Sequence, residues 1–137
     1  MTLATTDLCY LTIAQAADLI RRRELSPIDL IRAHLERISE IDPKLDSYVT
    51  VLSNEAMESA LTAEQEITGG SYRGPMHGIP IALKDLYATA GVRTTANSKV
   101  LANWIPEDDS TVARKLTEAG AILLGKLSMN EFALGGP

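Results

Sequence analysis

The sequence predicts an α/β chain in which helices come first and buried strands follow. Three observations carry that prediction. Capping signals and helix-spaced apolar residues run from Thr12 to Thr68. Residues 78–84 and 121–124 are apolar on both faces, as in strands covered by helices on two sides. A helix pattern lies between these two strands, which is the crossover that parallel pairing requires. The 137 residues leave room for one domain and not comfortably for two.

Each element has its own signal. Thr12 and Gln15 have capping-box spacing and open a helix over 13–24. Ser26-Pro27 restarts the chain, with Ser26 as N-cap and Pro27 in the first turn. Leu30, Ile31, His34, Leu35, Ile38 and Ile41 then recur at helical spacing until Asp42-Pro43 ends the helix. Residues 47–52 alternate enough for a short strand or an extended link. A third helix is expected over 54–68, stopped by Gly69-Gly70. After the loop 71–74 comes the strand 78–84, where Pro80 suits a strand start or an edge. The Thr-rich stretch 89–98 reads as loop. Asp109 or Ser110 caps a helix over 111–119, Gly120 ends it, and 121–124 is the second buried strand.

Composition removes several function classes. Hydrophobic residues make up 45% and charged residues 23%, which places the chain among globular proteins. The net charge of −5 and the lack of a basic cluster beyond Arg21-Arg22-Arg23, a solvated helix end, argue against direct nucleic-acid binding. The one cysteine, Cys9, cannot form an internal disulfide or a metal pair. With no secretory signal pattern and no apolar run of membrane-spanning length, a cytoplasmic protein without membrane contact is expected.

Most candidate chemistry reduces to structure. Residues 120–126, "GAILLGK", match G-x-x-x-x-G-K, but the next residue is Leu127 and the spacer is itself the strand, so no phosphate cradle forms. His34 and His77 have no cysteine partner, so no metal is implied. Glu55, Glu58, Glu64 and Glu66 read as a solvated helix face. Ser98, Ser110 and Ser128 lie in no nucleophile-elbow pattern. Lys84 is different, because it follows the apolar run Ile79–Leu83. Strand C-terminal ends are where crevices form in α/β sheets. Withdrawal from water disfavours an ammonium, and a neutral lysine can act as a general base. Asp85 follows it, but neighbours in a strand point to opposite faces, so the two need not pair.

The stretches "RGPMHGIPIALKDLYATAGVRTTANS" and "DDSTVARKLTEAGAILLGKLSMNEFALG" resemble the N-terminal part of the amidase signature family. The helical leader "LTIAQAADLIRRRELSPIDLIRAHLERISEIDPKLDSYVTV" is similar as well, so the resemblance covers nearly the whole chain. It implies N-terminal helices followed by the first strands of that family's mixed sheet, incomplete in this chain. Residues 1–137 would be the start of a single domain, with 1–70 a mainly helical leader and 71–137 the beginning of the catalytic core. The family's enzymes act on carboxylic amides through a Ser–cis-Ser–Lys triad. The lysine of "GIPIALKD" matches Lys84, which would deprotonate the bridging serine that activates the nucleophile. Ala133 and Leu134 match positions near the acyl pocket. No cofactor or metal is implied.

The chain departs from the pattern in two ways. Leu127-Ser128 replaces a Thr-Asn pair common after "GK". Neither triad serine is matched, because the segment that carries them in the family falls after Pro137. Residues 1–137 alone are therefore expected to lack amidase activity and, with apolar strands short of neighbours, to associate. The resemblance fits a small-molecule amide hydrolase, with a homodimer as one option for its assembly. It fits equally the A-subunit of a tRNA-dependent amidotransferase, whose partner subunits would copurify, or a truncated product without activity.

Overall fold

The computed structural model describes residues 5–135; Pro137 lies outside them. A short helix α1 (Thr5–Leu8) precedes α2 (Ile13–Arg21) and α3 (Pro27–Ile41). Strand β1 (Tyr48–Val51), helix α4 (Ser53–Thr68), strand β2 (Pro80–Lys84), helix α5 (Thr111–Glu118) and strand β3 (Ile122–Leu127) follow. The three strands form one mixed sheet in the order β1-β3-β2. β2 runs parallel to β3, and β1 runs antiparallel to β3. The α/β class is therefore observed, and the 47–52 segment resolves into a strand. Pro80, which has no N–H to donate, opens β2 at the edge of the sheet.

The helix starts follow their local chemistry. Thr12 accepts from Gln15 N–H while the Gln15 side chain accepts from Thr12 N–H, which closes the capping box. Ser26 Oγ accepts from Ile28 N–H at 3.1 Å and donates to the Glu64 carboxylate, so one hydroxyl caps α3 and ties it to α4. Ser110, not Asp109, caps α5 by accepting from Ala113 N–H. Asp109 instead accepts from Ala90 N–H at 2.7 Å, anchoring the long loop after β2.

Two boundaries differ from the sequence reading by three residues, and β2 opens at Pro80 rather than residue 78. Helix α2 ends at Arg21 rather than residue 24, because Arg23 takes a left-handed φ of 61° and Glu24 N–H turns back to Leu19 O. Strand β3 runs to Leu127 rather than 124, because Gly125, Lys126 and Leu127 pair with both neighbouring strands. Gly125 makes this possible. A Cβ there would stand 2.1 Å from Thr50 O, so only glycine lets β1 approach so closely.

Buried apolar residues form two groups. Leu8, Ala16, Ala17, Ile20, Leu30, Ala33, Ile67 and Ile79 join the N-terminal helices to the start of β2. Ile31, Ala56, Ala60, Ala63, Ile122 and Leu124 join α3 and α4 to β3. Small residues on α4 (Ala56, Ala60, Ala63) let that helix lie close to its neighbours. The helical half thus packs against the start of β2 and the first half of β3.

Candidate active site

The C-terminal ends of the parallel strands β2 and β3 lie side by side, with Lys84 opposite Leu127. Burial alternates through the end of β2: Leu83 is buried, Lys84 exposed, Asp85 buried and Leu86 exposed. Successive side chains therefore leave on opposite sides. The Lys84 side chain makes no hydrogen bond or ion pair among the described residues, while its carbonyl accepts from Tyr87 N–H at 3.0 Å. Asp85, by contrast, is wholly enclosed.

Asp85 is held through its backbone and Oδ2, while Oδ1 makes no hydrogen bond. Its N–H continues the strand ladder to Leu127 O at 3.0 Å, and its carbonyl accepts from Ala96 N–H at 2.8 Å. Oδ2 accepts from both the N–H and the hydroxyl of Thr95. Oδ1 lies 3.6 Å from Lys126 Nζ. Lys126 heads the largest fully buried side chains among the described residues, and it completes the cluster. Its ammonium donates to Thr94 Oγ1 at 2.7 Å and to Tyr87 O at 2.8 Å. Two acceptors take two of the three protons of the ammonium, and the carboxylate faces it just beyond hydrogen-bond distance. Burial pulls the Lys126 pKa down, while the charge of Asp85 pushes it back up.

Lys126 is the residue the sequence reading missed. It entered only as the last letter of a phosphate-loop pattern, with the strand closed at 124. Its signal was alternation, since Ile122, Leu124 and Lys126 are spaced two apart and Lys126 stands directly before an apolar residue.

The segment after β3 returns to this end of the sheet. Phe132 N–H donates to Ala96 O at 2.9 Å, and Asn97 Nδ2 donates to Met129 O at 2.6 Å. Ser98 Oγ donates to Glu131 at 2.6 Å, so the serine that matched no nucleophile pattern is a loop fastener. Ala96 thereby bridges the backbone of Asp85 to that of Phe132. The two facing loops hold Ala96, Asn97, Phe132 and Ala133 at φ between 49° and 57°, a left-handed backbone that non-glycine residues adopt at a cost. Ala133 and Leu134 are exposed on this turn. Lys84, Ala133 and Leu134 therefore share one edge of the fold, though no hydrogen bond links the lysine to the turn.

His77 lies at the other end of the sheet, ahead of β2. A cleft of about 400 Å³ there is lined by Glu55, Glu58, Glu66, Arg73, His77 and Gly120, among others. His77 is buried; Nδ1 accepts from Arg73 N–H at 3.1 Å, and Nε2 stands 3.0 Å from Glu66. A Cβ at Gly120 would fall 2.6 Å from the His77 ring, and its φ of +87° also favours glycine. His34 donates from Nδ1 to Leu30 O on its own helix. No group of three or more potential ligands suited to a metal occurs among the described residues.

Burial holds the His77 imidazole below its ordinary 6.5, with Arg73 adding to the effect and Glu66 opposing it. The unfolded chain therefore takes up the proton first as pH falls. The stabilisation from neutral His77 is complete above about pH 6.5 and is lost below it. Glu66, held low chiefly by its hydrogen bond from Arg73, adds a further loss at more acidic pH. The thermal midpoint is expected to drop as pH falls below about 6.5, and His77→Gln to flatten that drop. Parallel pH profiles for the two proteins would remove His77 as the cause.

Comparison with known proteins decides the family. The amidase family model matches residues 29–136. The chain belongs to the amidase family. Among curated amidase relatives, the A-subunit of the glutamyl-tRNA(Gln) amidotransferase from Geobacter metallireducens is 46% identical over 129 residues, 94% of this chain and 26% of the relative. Its counterpart from Dehalococcoides mccartyi is 46% identical over 130 residues. Among solved amidase structures, a peptide amidase in complex with the competitive inhibitor chymostatin superposes with a TM-score of 0.86 at 32% identity, covering 92% of this chain and 26% of that one. An amidase family protein from Bacillus anthracis gives 0.83 at 33% identity. The chain thus spans about a quarter of the length of the amidases it matches. No helix among the described residues is long and apolar enough to cross a membrane.

Proposed function

We propose that this chain supplies the general base of an amide-hydrolysing enzyme of the amidase family, and that Lys84 is that base. Residues 1–137 are read as the start of a single domain, with 1–70 its helical leader and 71–137 the beginning of its catalytic core. The observation that supports the reading most is the state of Lys84. Its side chain leaves the end of β2 without an ion pair among the described residues, while the adjacent carboxylate is buried on the other side, with Oδ2 hydrogen-bonded to Thr95 and Oδ1 facing Lys126. An unpaired lysine at a strand end is free to accept a proton once the surrounding site excludes water.

In the Ser–cis-Ser–Lys scheme, Lys84 takes the proton of a bridging serine, which takes that of the nucleophile. The nucleophile attacks the amide carbonyl, and ammonia or an amine leaves an acyl-enzyme that water hydrolyses. Both serines would come from outside residues 1–137. Ala133 and Leu134, exposed at the same edge, are assigned to the wall that receives the acyl group. The substrate is a small carboxylic amide.

The identity to amidotransferase A-subunits supports a second reading, in which the ammonia passes to a partner protein and then to a tRNA-borne acyl group. Ammonia release from simple amides, peptide amides and glutamine separates the two. A hydrolase turns over alone, whereas an amidotransferase component copurifies with its partners and depends on them. Failure to release ammonia from any of these, with and without copurifying proteins, would sink both.

A further inference from the structure

Lys84 and Asp85 are neighbours of opposite charge, and a free carboxylate beside Lys84 would be a poor companion for a base. It would stabilise the ammonium and hold the proton on. In the fold the carboxylate is taken up elsewhere. Asp85 leaves β2 on the buried side, where Thr95 occupies Oδ2 and Lys126 faces Oδ1. Lys126 is fixed in turn by Tyr87 O and Thr94 Oγ1, so its ammonium cannot swing away. The remaining charged groups nearby have partners of their own. Arg93 donates to Val49 O and Thr50 Oγ1 on β1, and Glu131 accepts from Ser98. The Tyr48 phenol, on β1, is pushed up by burial and stays neutral.

We propose that Lys126 is the counter-ion that neutralises the Asp85 carboxylate, so that its charge, on the opposite side of β2, does not hold the proton on Lys84. Lys126 is thus a positioning residue for the base. It acts through the charge of Asp85 and through the loop 85–96, which it clamps to β3. The proposal rests on the assignment of Lys84 as base.

The sign is fixed by charge. Lys126→Met leaves Asp85 as an uncompensated negative charge next to Lys84, which favours the protonated lysine. Asp85→Asn removes the negative charge and leaves the Lys126 cation, which favours the neutral lysine. The double variant removes both charges and returns Lys84 near its starting state.

The test is the acid limb of kcat/KM against pH in the whole protein, which reports the protonation of the free enzyme's base. The limb is expected to rise by about one pH unit in Lys126→Met and to fall by about as much in Asp85→Asn. It is expected to lie near wild type in the double variant. Loss of packing alone lowers activity without moving the limb in opposite directions. If Lys126→Met does not fold, the nearly isosteric Asp85→Asn and the double variant carry the test. Limbs that coincide with wild type in every folded variant overturn the proposal. Lys84→Ala separates the two readings: if it leaves activity intact, the base assignment fails, and if it abolishes activity while the limbs stay put, only the role of Lys126 fails.

Discussion

Lys84→Ala is expected to lower kcat by about 10²–10⁴-fold in the whole protein, with KM changing far less. A general base is used in the transition state and contributes little to holding the substrate before it. Its loss therefore appears in kcat and kcat/KM together. The side chain is exposed at the end of β2, so its removal breaks no side-chain hydrogen bond or ion pair among the described residues. The melting temperature should accordingly be unchanged, which separates a chemical defect from a folding one. Asp85→Asn is the informative comparison. It alters a wholly buried group, so it should disturb stability more and kcat less. Steady-state kinetics on simple amides give the answer, and a Lys84→Ala variant within about threefold of wild type refutes the assignment.

Lys126→Met is expected to cost about 3–5 kcal/mol of stability, because it leaves the buried Asp85 carboxylate without its counter-charge. It also leaves Tyr87 O and Thr94 Oγ1 without the donor they now have. Methionine fills most of the lysine's volume, so the loss is electrostatic and not a cavity. Asp85→Asn strands the opposite charge and should cost a comparable amount. The double variant strands neither. Its destabilisation should be clearly smaller than the sum of the two single ones, because the residues act as one unit. Denaturant or thermal midpoints of the four proteins give the coupling. Additive effects would mean that the 3.6 Å approach carries no interaction energy.

The edge of the fold that holds Lys84 also gathers the left-handed residues Ala96, Asn97, Phe132 and Ala133. Each is held by a hydrogen-bonded loop that a strand end anchors. Ala96 is held between Asp85 O and Phe132 N–H, so a disturbance at Asp85 has a short path to the turn that carries Ala133 and Leu134. The same buried pair therefore bears both on the proposed base and on the proposed acyl wall.

Much of this chain was written in local sequence. The capping box at Thr12, the Ser26-Pro27 start, the Gly69-Gly70 stop and the apolar run into Lys84 each specify structure through neighbours a few residues away. Such signals survive in a linear reading because the interactions they encode are themselves local. The ordered stretches around Lys84 likewise pointed to the family to which the chain belongs. Three things required the folded chain. Strand β1 became recognisable only as the antiparallel partner of β3, because four residues carry too little periodicity to separate a strand from a link. Helix α2 stopped early because Arg23 turned left-handed, a choice made by the tertiary hydrogen bond of its guanidinium to Ile67 O as much as by its own preference. Asp85 and Lys126 are 41 positions apart, and nothing in the spacing of two charged letters says that both are enclosed. Their pairing exists because β2 and β3 run parallel in a register that sets Leu83 beside Lys126, and because the loop 85–96 folds over the ammonium. The sequence alone determined which lysine stands at the strand end; the tertiary structure decided which lysine the neighbouring aspartate neutralises.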